Sequence, residues 1–162
     1  VATIEGIREL VAKRGGSILV VSSNSAPMMD ADNPFVQACL AGDEVAALGL
    51  LEDGHTAYAG SKRALTQWMR RKVSEYAASG VRINAVAPGI TRTNMTEAVS
   101  QDPELGDSIK QFEAMTPMGG SATPEQIAAA MCFLLSPASS FICGSVLFVD
   151  GGTDALLRPD SF

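Results

Sequence analysis

Tyr58 and Lys62 stand four positions apart, a spacing that on a helix brings phenol and ammonium to one face with Cβ atoms roughly 6 Å apart. A phenol with a pKa of about 10 is a poor base at neutral pH, and a neighbouring positive charge favours its ionised form. A phenol tuned in this way can take a proton from a substrate oxygen and return it, which is general acid–base catalysis. The pair alone is weak, because a boundary tyrosine beside a solvated lysine has the same spacing. Its setting strengthens it: Ser22-Ser23 closes one apolar run and Pro88-Gly89 closes another.

The elements that must position these groups follow from the hydrophobic pattern. Ile4 to Lys13 has apolar residues at helical spacing and stops at Gly15-Gly16. Ser17 to Val21 is nearly all apolar and β-branched, as in a strand buried on both faces of a parallel sheet. A helix from about Thr56 to Ala78, with Ala57, Ala64, Leu65, Trp68, Val73 and Tyr76 along its apolar stripe, carries the tyrosine and lysine before Gly80 ends it. Val81 to Ala87 is the next strand, and Thr91 to Gly120, with two helical pieces, reads as an active-site flap. Thr123-Pro124-Glu125-Gln126 is a helix-start signature for a helix reaching Leu135. Gly144 to Val149 is the last strand, turned by Asp150-Gly151-Gly152 and followed by a tail ending at Phe162.

Strand and helix alternate, so the fold class is α/β: a doubly wound parallel sheet with helices on both faces. In such sheets ligands bind at the carboxyl ends of the strands, where Ser22-Ser23, the Tyr58 helix and Pro88-Gly89 converge. Three strands alone would expose an apolar edge, which something must cover. Residues 24–54 form a cap insert, with short helices starting at Asn33-Pro34 and Asp43-Glu44.

The 162 residues, 46% of them hydrophobic, suit one domain spanning 1–162. The longest unbroken apolar run, Ile127 to Leu135, is well short of the roughly 18 residues a membrane span needs, so no membrane partner is expected. A net charge of −6 with scattered cations argues against nucleic acid. The three cysteines form no Cys-x-x-Cys pair, which fits a reducing cytoplasm and no zinc ribbon. His55 is the only histidine, so neither a metal site nor a Ser-His-Asp triad is expected, and it reads as an exposed helix-start residue. The chain opens at Val1 as if in the middle of a helix, with no targeting segment visible.

Val20-Val-Ser-Ser23, Tyr58-Ala-Gly-Ser-Lys62-Arg-Ala-Leu, Val81-Arg-Ile-Asn-Ala-Val-Ala-Pro-Gly89, Pro124-Glu-Gln-Ile-Ala and Gly144 with Val149-Asp-Gly-Gly152 follow one another in this order. Together they resemble the catalytic C-terminal half of the short-chain dehydrogenases/reductases, over nearly the whole chain. Pro117-Met-Gly, the 35 positions between Ser23 and Tyr58, and Asp154-Ala-Leu-Leu-Arg-Pro are most similar to bacterial 3α-hydroxysteroid dehydrogenase/carbonyl reductases. The resemblance implies a Rossmann-like sheet and an oxidoreductase passing hydride between NAD or NADP and a secondary alcohol or ketone. It implies that Tyr58 exchanges a proton with the substrate oxygen, Ser23 holds that oxygen and Lys62 also bonds the nicotinamide ribose. The turn Pro88-Gly89 with the Ile90 backbone, the Thr93 hydroxyl and Thr91 would grip the carboxamide and pyrophosphate. Ser23 is preferred to Ser22 because the family's serine is usually the second of the pair. A homodimer or homotetramer is expected.

The chain departs from the family in having no Gly-rich phosphate loop, no Asn-Ala-Gly turn, no acid for an adenosine ribose and no helix asparagine. The family's N-terminal half, with the strands that would cover the open edge, is thus expected to lie in a longer protein. Phe35, Val36, Leu40, Val45, Leu48, Leu50 and Leu51 of the insert could form a lid over a bulky hydrophobic substrate such as a steroid, or a self-packed cap. A non-catalytic binding or assembly module of the same fold is the alternative function.

Overall fold

A computed structural model describes residues 1–101 and 106–161. Helix α1 (Ala2–Ala12) turns at Gly15 into strand β1 (Ser17–Val21). A 3₁₀ turn, Ala26–Met28, leads to the short helices α2 (Pro34–Ala41) and α3 (Glu44–Gly49) and then to the long helix α4 (Gly54–Ala78). Strand β2 (Arg82–Pro88) follows, then α5 (Asn94–Ser100), α6 (Gly106–Met115), α7 (Pro124–Leu135), strand β3 (Val146–Val149) and α8 (Thr153–Leu157).

The strands form one all-parallel sheet in the order β1-β2-β3, with Ser17 opposite Arg82 and Ala85 opposite Val146. Side chains alternate across it. On one face Ile18, Val20, Ile83 and Ala85 pack against Met69 and Tyr76 of α4, with Ile4 and Val11 of α1 beside them. On the other face, the Arg82 guanidinium donates to the Leu134 and Ser136 carbonyls at 2.9 and 3.0 Å. These carbonyls lie at the end of α7, which the helix itself leaves without partners. Helices therefore cover both faces of a Rossmann-like sheet.

Local starts and stops explain the element boundaries. The Asn33 and Asp43 side chains accept from Phe35 N and Ala46 N, capping α2 and α3 as their sequences predict. Thr123 and Gln126 form the expected reciprocal capping box on α7. α4 begins two residues before the expected Thr56, because the Asp53 carboxylate accepts from Thr56 N at 2.6 Å. Met69, absent from the expected stripe, is fully buried, whereas Ala57 is only partly covered.

Two expectations need correction. β1 is less covered than expected: Ile18 and Val20 are buried and Leu19 is half-buried, but Val21 is exposed, and among the described residues β1 is an edge strand. The segment after β3 is not a plain tail. The Asp150 carboxylate accepts from Gly152 N and Asp154 N and starts α8. The flap contains its two helices, but residues 102–105 of it, like Phe162 of the tail, lie outside the described residues.

Gly89 is where β2 and β3 come closest past their ends. A Cβ there would sit 2.9 Å from the Asp150 Cα, with backbone rather than a flexible side chain in the way. Gly89→Ala should therefore destabilise the protein by about 1–3 kcal/mol through overpacking. Urea unfolding measures this, and a midpoint equal to that of the parent would contradict the close approach.

Candidate active site

The parallel ladder continues beyond the strand ends: Ser22 N donates to the Val86 carbonyl at 2.8 Å and Asn24 N to the Pro88 carbonyl at 3.0 Å. Ser23 and the Pro88-Gly89 turn are thereby held at the same carboxyl edge of the sheet. Alternation sends the two serines to different sides. Ser22 is buried, and its Oγ lies 2.6 Å from Thr66 Oγ1 on α4. Ser23 is also buried, and its Oγ accepts from Ser25 N at 3.2 Å and from Ser25 Oγ at 3.0 Å. Among the described residues nothing accepts the proton of the Ser23 hydroxyl. That proton is available to a ligand oxygen, whereas Ser22 is engaged with the helix.

α4 presents Tyr58 and Lys62 one turn apart. The Lys62 ammonium lies 5.7 Å from the centroid of the Tyr58 ring, within cation–π reach. It also donates to the Val21 carbonyl at 2.9 Å, which ties the helix to the end of β1. Tyr58 is 49% exposed, so its phenol is open to an incoming molecule. His55 is exposed in the first turn of α4, as its sequence position suggests.

The turn after β2 is held by backbone bonds: Gly89 N to Val149 O, Ala122 N to Ile90 O and Arg92 N to Ala122 O. Among the described residues no acceptor takes the Ile90 amide, which suits a carboxamide oxygen. The Thr91 hydroxyl donates to the Gly89 carbonyl at 3.1 Å. Thr93 caps α5, its hydroxyl accepting from Thr96 N and lying 3.2 Å from Thr96 Oγ1. The structure thus brings Ser23, Tyr58, Lys62 and the Pro88–Ile90 turn to one edge, while Thr91 and Thr93 already have local partners.

Sequence reasoning missed Thr66. Its position four residues after Lys62, on the same face of a helix crossing the end of β1, was the available signal. Two clefts lie at the opposite, amino end of the sheet, around Gly16, Ser17 and Arg82, away from every group described above. Among the described residues no helix is long and apolar enough to cross a membrane.

Comparison with known proteins shows what the chain is similar to in sequence and fold. A family model described as Enoyl-(Acyl carrier protein) reductase matches residues 44–154. The 3-alpha-hydroxysteroid dehydrogenase/carbonyl reductase of Comamonas testosteroni is 40% identical over 151 residues, which cover 90% of this chain and 58% of that protein. Galactitol 2-dehydrogenase (L-tagatose-forming) of Cereibacter sphaeroides is 45% identical over 97 residues, 60% of this chain and 37% of the relative. The crystal structure of 3-alpha-hydroxysteroid dehydrogenase from Pseudomonas sp. B-0831 complexed with NADH superposes with a TM-score of 0.93 at 43% identity, covering 99% of this chain and 65% of that one. The chain therefore spans less than two thirds of the length of these relatives.

The start of the Tyr58 helix is testable through its cap. Backbone and side-chain hydrogen bonding with Thr56, in that order, hold the Asp53 carboxyl below its ordinary 3.8, with a smaller contribution from His55. A carboxyl depressed in the folded state adds stability that is present above its unfolded pKa and is lost as pH falls through the folded value. Carbon-13 NMR should place the Asp53 midpoint below 3.8, and a midpoint at or above it would refute this cap.

Proposed function

The chain belongs to the short-chain dehydrogenase/reductase family, and on that premise we propose that it forms the catalytic half of a nicotinamide-dependent oxidoreductase acting on a secondary alcohol or ketone, with a bulky hydrophobic substrate such as a steroid. The observation that carries this reading is the placement of Tyr58 and Lys62 on one face of α4, with Lys62 tied to the end of the strand that leads into Ser23. In alcohol oxidation Tyr58 takes the hydroxyl proton, and in carbonyl reduction it returns one to the oxygen. The free proton of Ser23 bonds the substrate oxygen and orients it. Lys62 places positive charge beside the phenol and stabilises the negative charge that develops there. The nicotinamide, when bound, supplies or accepts the hydride. The Ile90 amide and the Pro88-Gly89 turn fit its carboxamide, and Lys62 fits its ribose hydroxyls. Thr91 and Thr93 are assigned to the cofactor's phosphate side, Thr93 donating while it keeps its cap and Thr91 by turning its hydroxyl from the Gly89 carbonyl. Either NAD or NADP suits these contacts.

The insert supports both of its expected roles, in different parts. Phe35 and Val36 of α2 are buried, and Val36 packs with Met29, Ala59 and Ala64. A Cβ on Gly60 would lie 2.6 Å from the Phe35 ring, so α2 and α4 pack too closely for a side chain there. That half is a self-packed cap. α3, by contrast, leaves Val45 83% and Leu48 63% exposed, and we assign this apolar face to the substrate lid. Ile7 and Leu10 of α1 are exposed as well, which suits association as a homodimer or homotetramer.

The test is turnover of a panel of steroid alcohols and small ketones with each nicotinamide, in the full-length protein. Tyr58→Phe should lower kcat by about 10²–10⁴-fold. No turnover in the parent, with a cellular activity that Tyr58→Phe leaves intact, would return the chain to a binding or assembly module. Leu48→Ser should raise KM for steroids by roughly tenfold, the equivalent of about 1.5 kcal/mol of lost apolar burial, and leave small ketones nearly unaffected. Equal effects on both substrates would remove the lid assignment.

A further inference from the structure

We propose that Thr66 is a positioning residue: through its hydrogen bond to Ser22 it sets the end of β1 against the turn of α4 that carries Lys62, and so fixes Ser23 relative to the Tyr58–Lys62 pair. The inference rests on the oxidoreductase reading above.

Ser22 is 2% exposed, and its Oγ lies 2.6 Å from Thr66 Oγ1. Thr66 Oγ1 donates to the Lys62 carbonyl at 2.8 Å. A hydroxyl has a single proton to give, so in the serine–threonine pair Ser22 must be the donor. The polar chain thus has one direction: Ser22 to Thr66 to the Lys62 backbone. Its strand end is anchored in turn, because Ser22 N donates to the Val86 carbonyl of β2 at 2.8 Å. One hydroxyl pair, buried on the Ser22 side and half-buried at Thr66, therefore connects the residue before Ser23 to the backbone of Lys62.

A second tie joins the same elements, the Lys62 ammonium on the Val21 carbonyl at 2.9 Å. That tie uses the group assigned to the cofactor ribose. The Ser22–Thr66 link involves no group assigned to the chemistry. It can therefore hold the strand end against the helix whatever the Lys62 ammonium bonds.

Proton transfer between oxygens is steeply sensitive to placement, and a displacement of about 1 Å can cost on the order of 10²-fold. Thr66→Val keeps the shape and removes the hydroxyl. In the full-length protein it should lower kcat by about 10- to 100-fold, with KM for alcohol and cofactor changed by less than about twofold. Thr66→Ser should restore kcat to within about threefold of the parent, because the hydroxyl returns. Ser22→Ala breaks the link from the strand side and should reproduce the Thr66→Val defect, and the double variant should be no worse than either single one. Should Thr66→Val fail to fold, Ser22→Ala decides the question alone. Parental kcat in Thr66→Val or Ser22→Ala, a Thr66→Ser enzyme as slow as Thr66→Val, or additive defects would each overturn the proposal. Tyr58→Phe is measured in the same series. Turnover that survives it overturns the Tyr58 assignment and this proposal together, whereas Tyr58-dependent turnover with Thr66→Val at the parental rate overturns the positioning role alone.

Discussion

β1 and β2 run in register from Ser17 opposite Arg82 to Val21 opposite Val86, and the same ladder continues through Ser22 N and Asn24 N onto the Val86 and Pro88 carbonyls. Because the pairing continues past the strands, Ser23 and the Pro88-Gly89 turn reach the sheet edge at the same height. A slip of one residue would turn Ser23 to the other face and put Ser22 in its place. The buried set Ile18, Val20, Ile83 and Ala85 opposes such a slip, since it would send those side chains out of the cluster formed with Met69 and Tyr76. Apolar packing in the middle of the sheet thus decides which serine meets the ligand.

α4 depends on the same packing. Its Met69 and Tyr76 are fully buried against the sheet, which sets the rotation of the helix about its axis. That rotation, combined with the i, i+4 spacing, sends Tyr58 and Lys62 to the strand ends. Three further contacts lock its upper half: the Asp53 cap, the Lys62 bond to Val21 and the close approach of the Phe35 ring to Gly60. On the opposite face polar groups add to the buried Val86, Ile127 and Leu134. Arg82 gathers the carbonyls at the end of α7, and Asn84, fully buried, donates to the Ile142 carbonyl and accepts from Ser145 N. Buried polar groups are tolerated there because their hydrogen bonds are satisfied.

The flap is tied back onto the last strand in a comparable way. Met118 N donates to the Gly151 carbonyl at 3.1 Å, and the Thr153 hydroxyl donates to that of Thr116 at 3.3 Å. The Asp150 turn therefore serves two ends, starting α8 and seating the Thr116–Met118 segment beside the Gly89 approach. α5 and α6 pack on each other, and the segment after α6 is held at the Asp150 turn.

Much of this was legible in the residues themselves. Short-range physics suffices to read the Tyr58–Lys62 spacing, the capping box of Thr123 and Gln126, the caps at Asn33 and Asp43, and the apolar strand Ser17 to Val21, because each is settled within one or two turns of chain. The order of motifs also made the parallel sheet and its carboxyl edge predictable. What local pattern could not supply is which face of each element would be covered. Val21 is as apolar as Val20, yet only Val20 is buried, because burial depends on what packs across the sheet. The start of α8 at Asp150 and the split of the insert into a packed α2 and an uncovered α3 depend on the same non-local contacts. The Ser22–Thr66 bond belongs with them: its two hydroxyls lie far apart in sequence and meet only once α4 has packed across the end of β1, so tertiary structure alone could assign one serine to the scaffold and leave the other for chemistry.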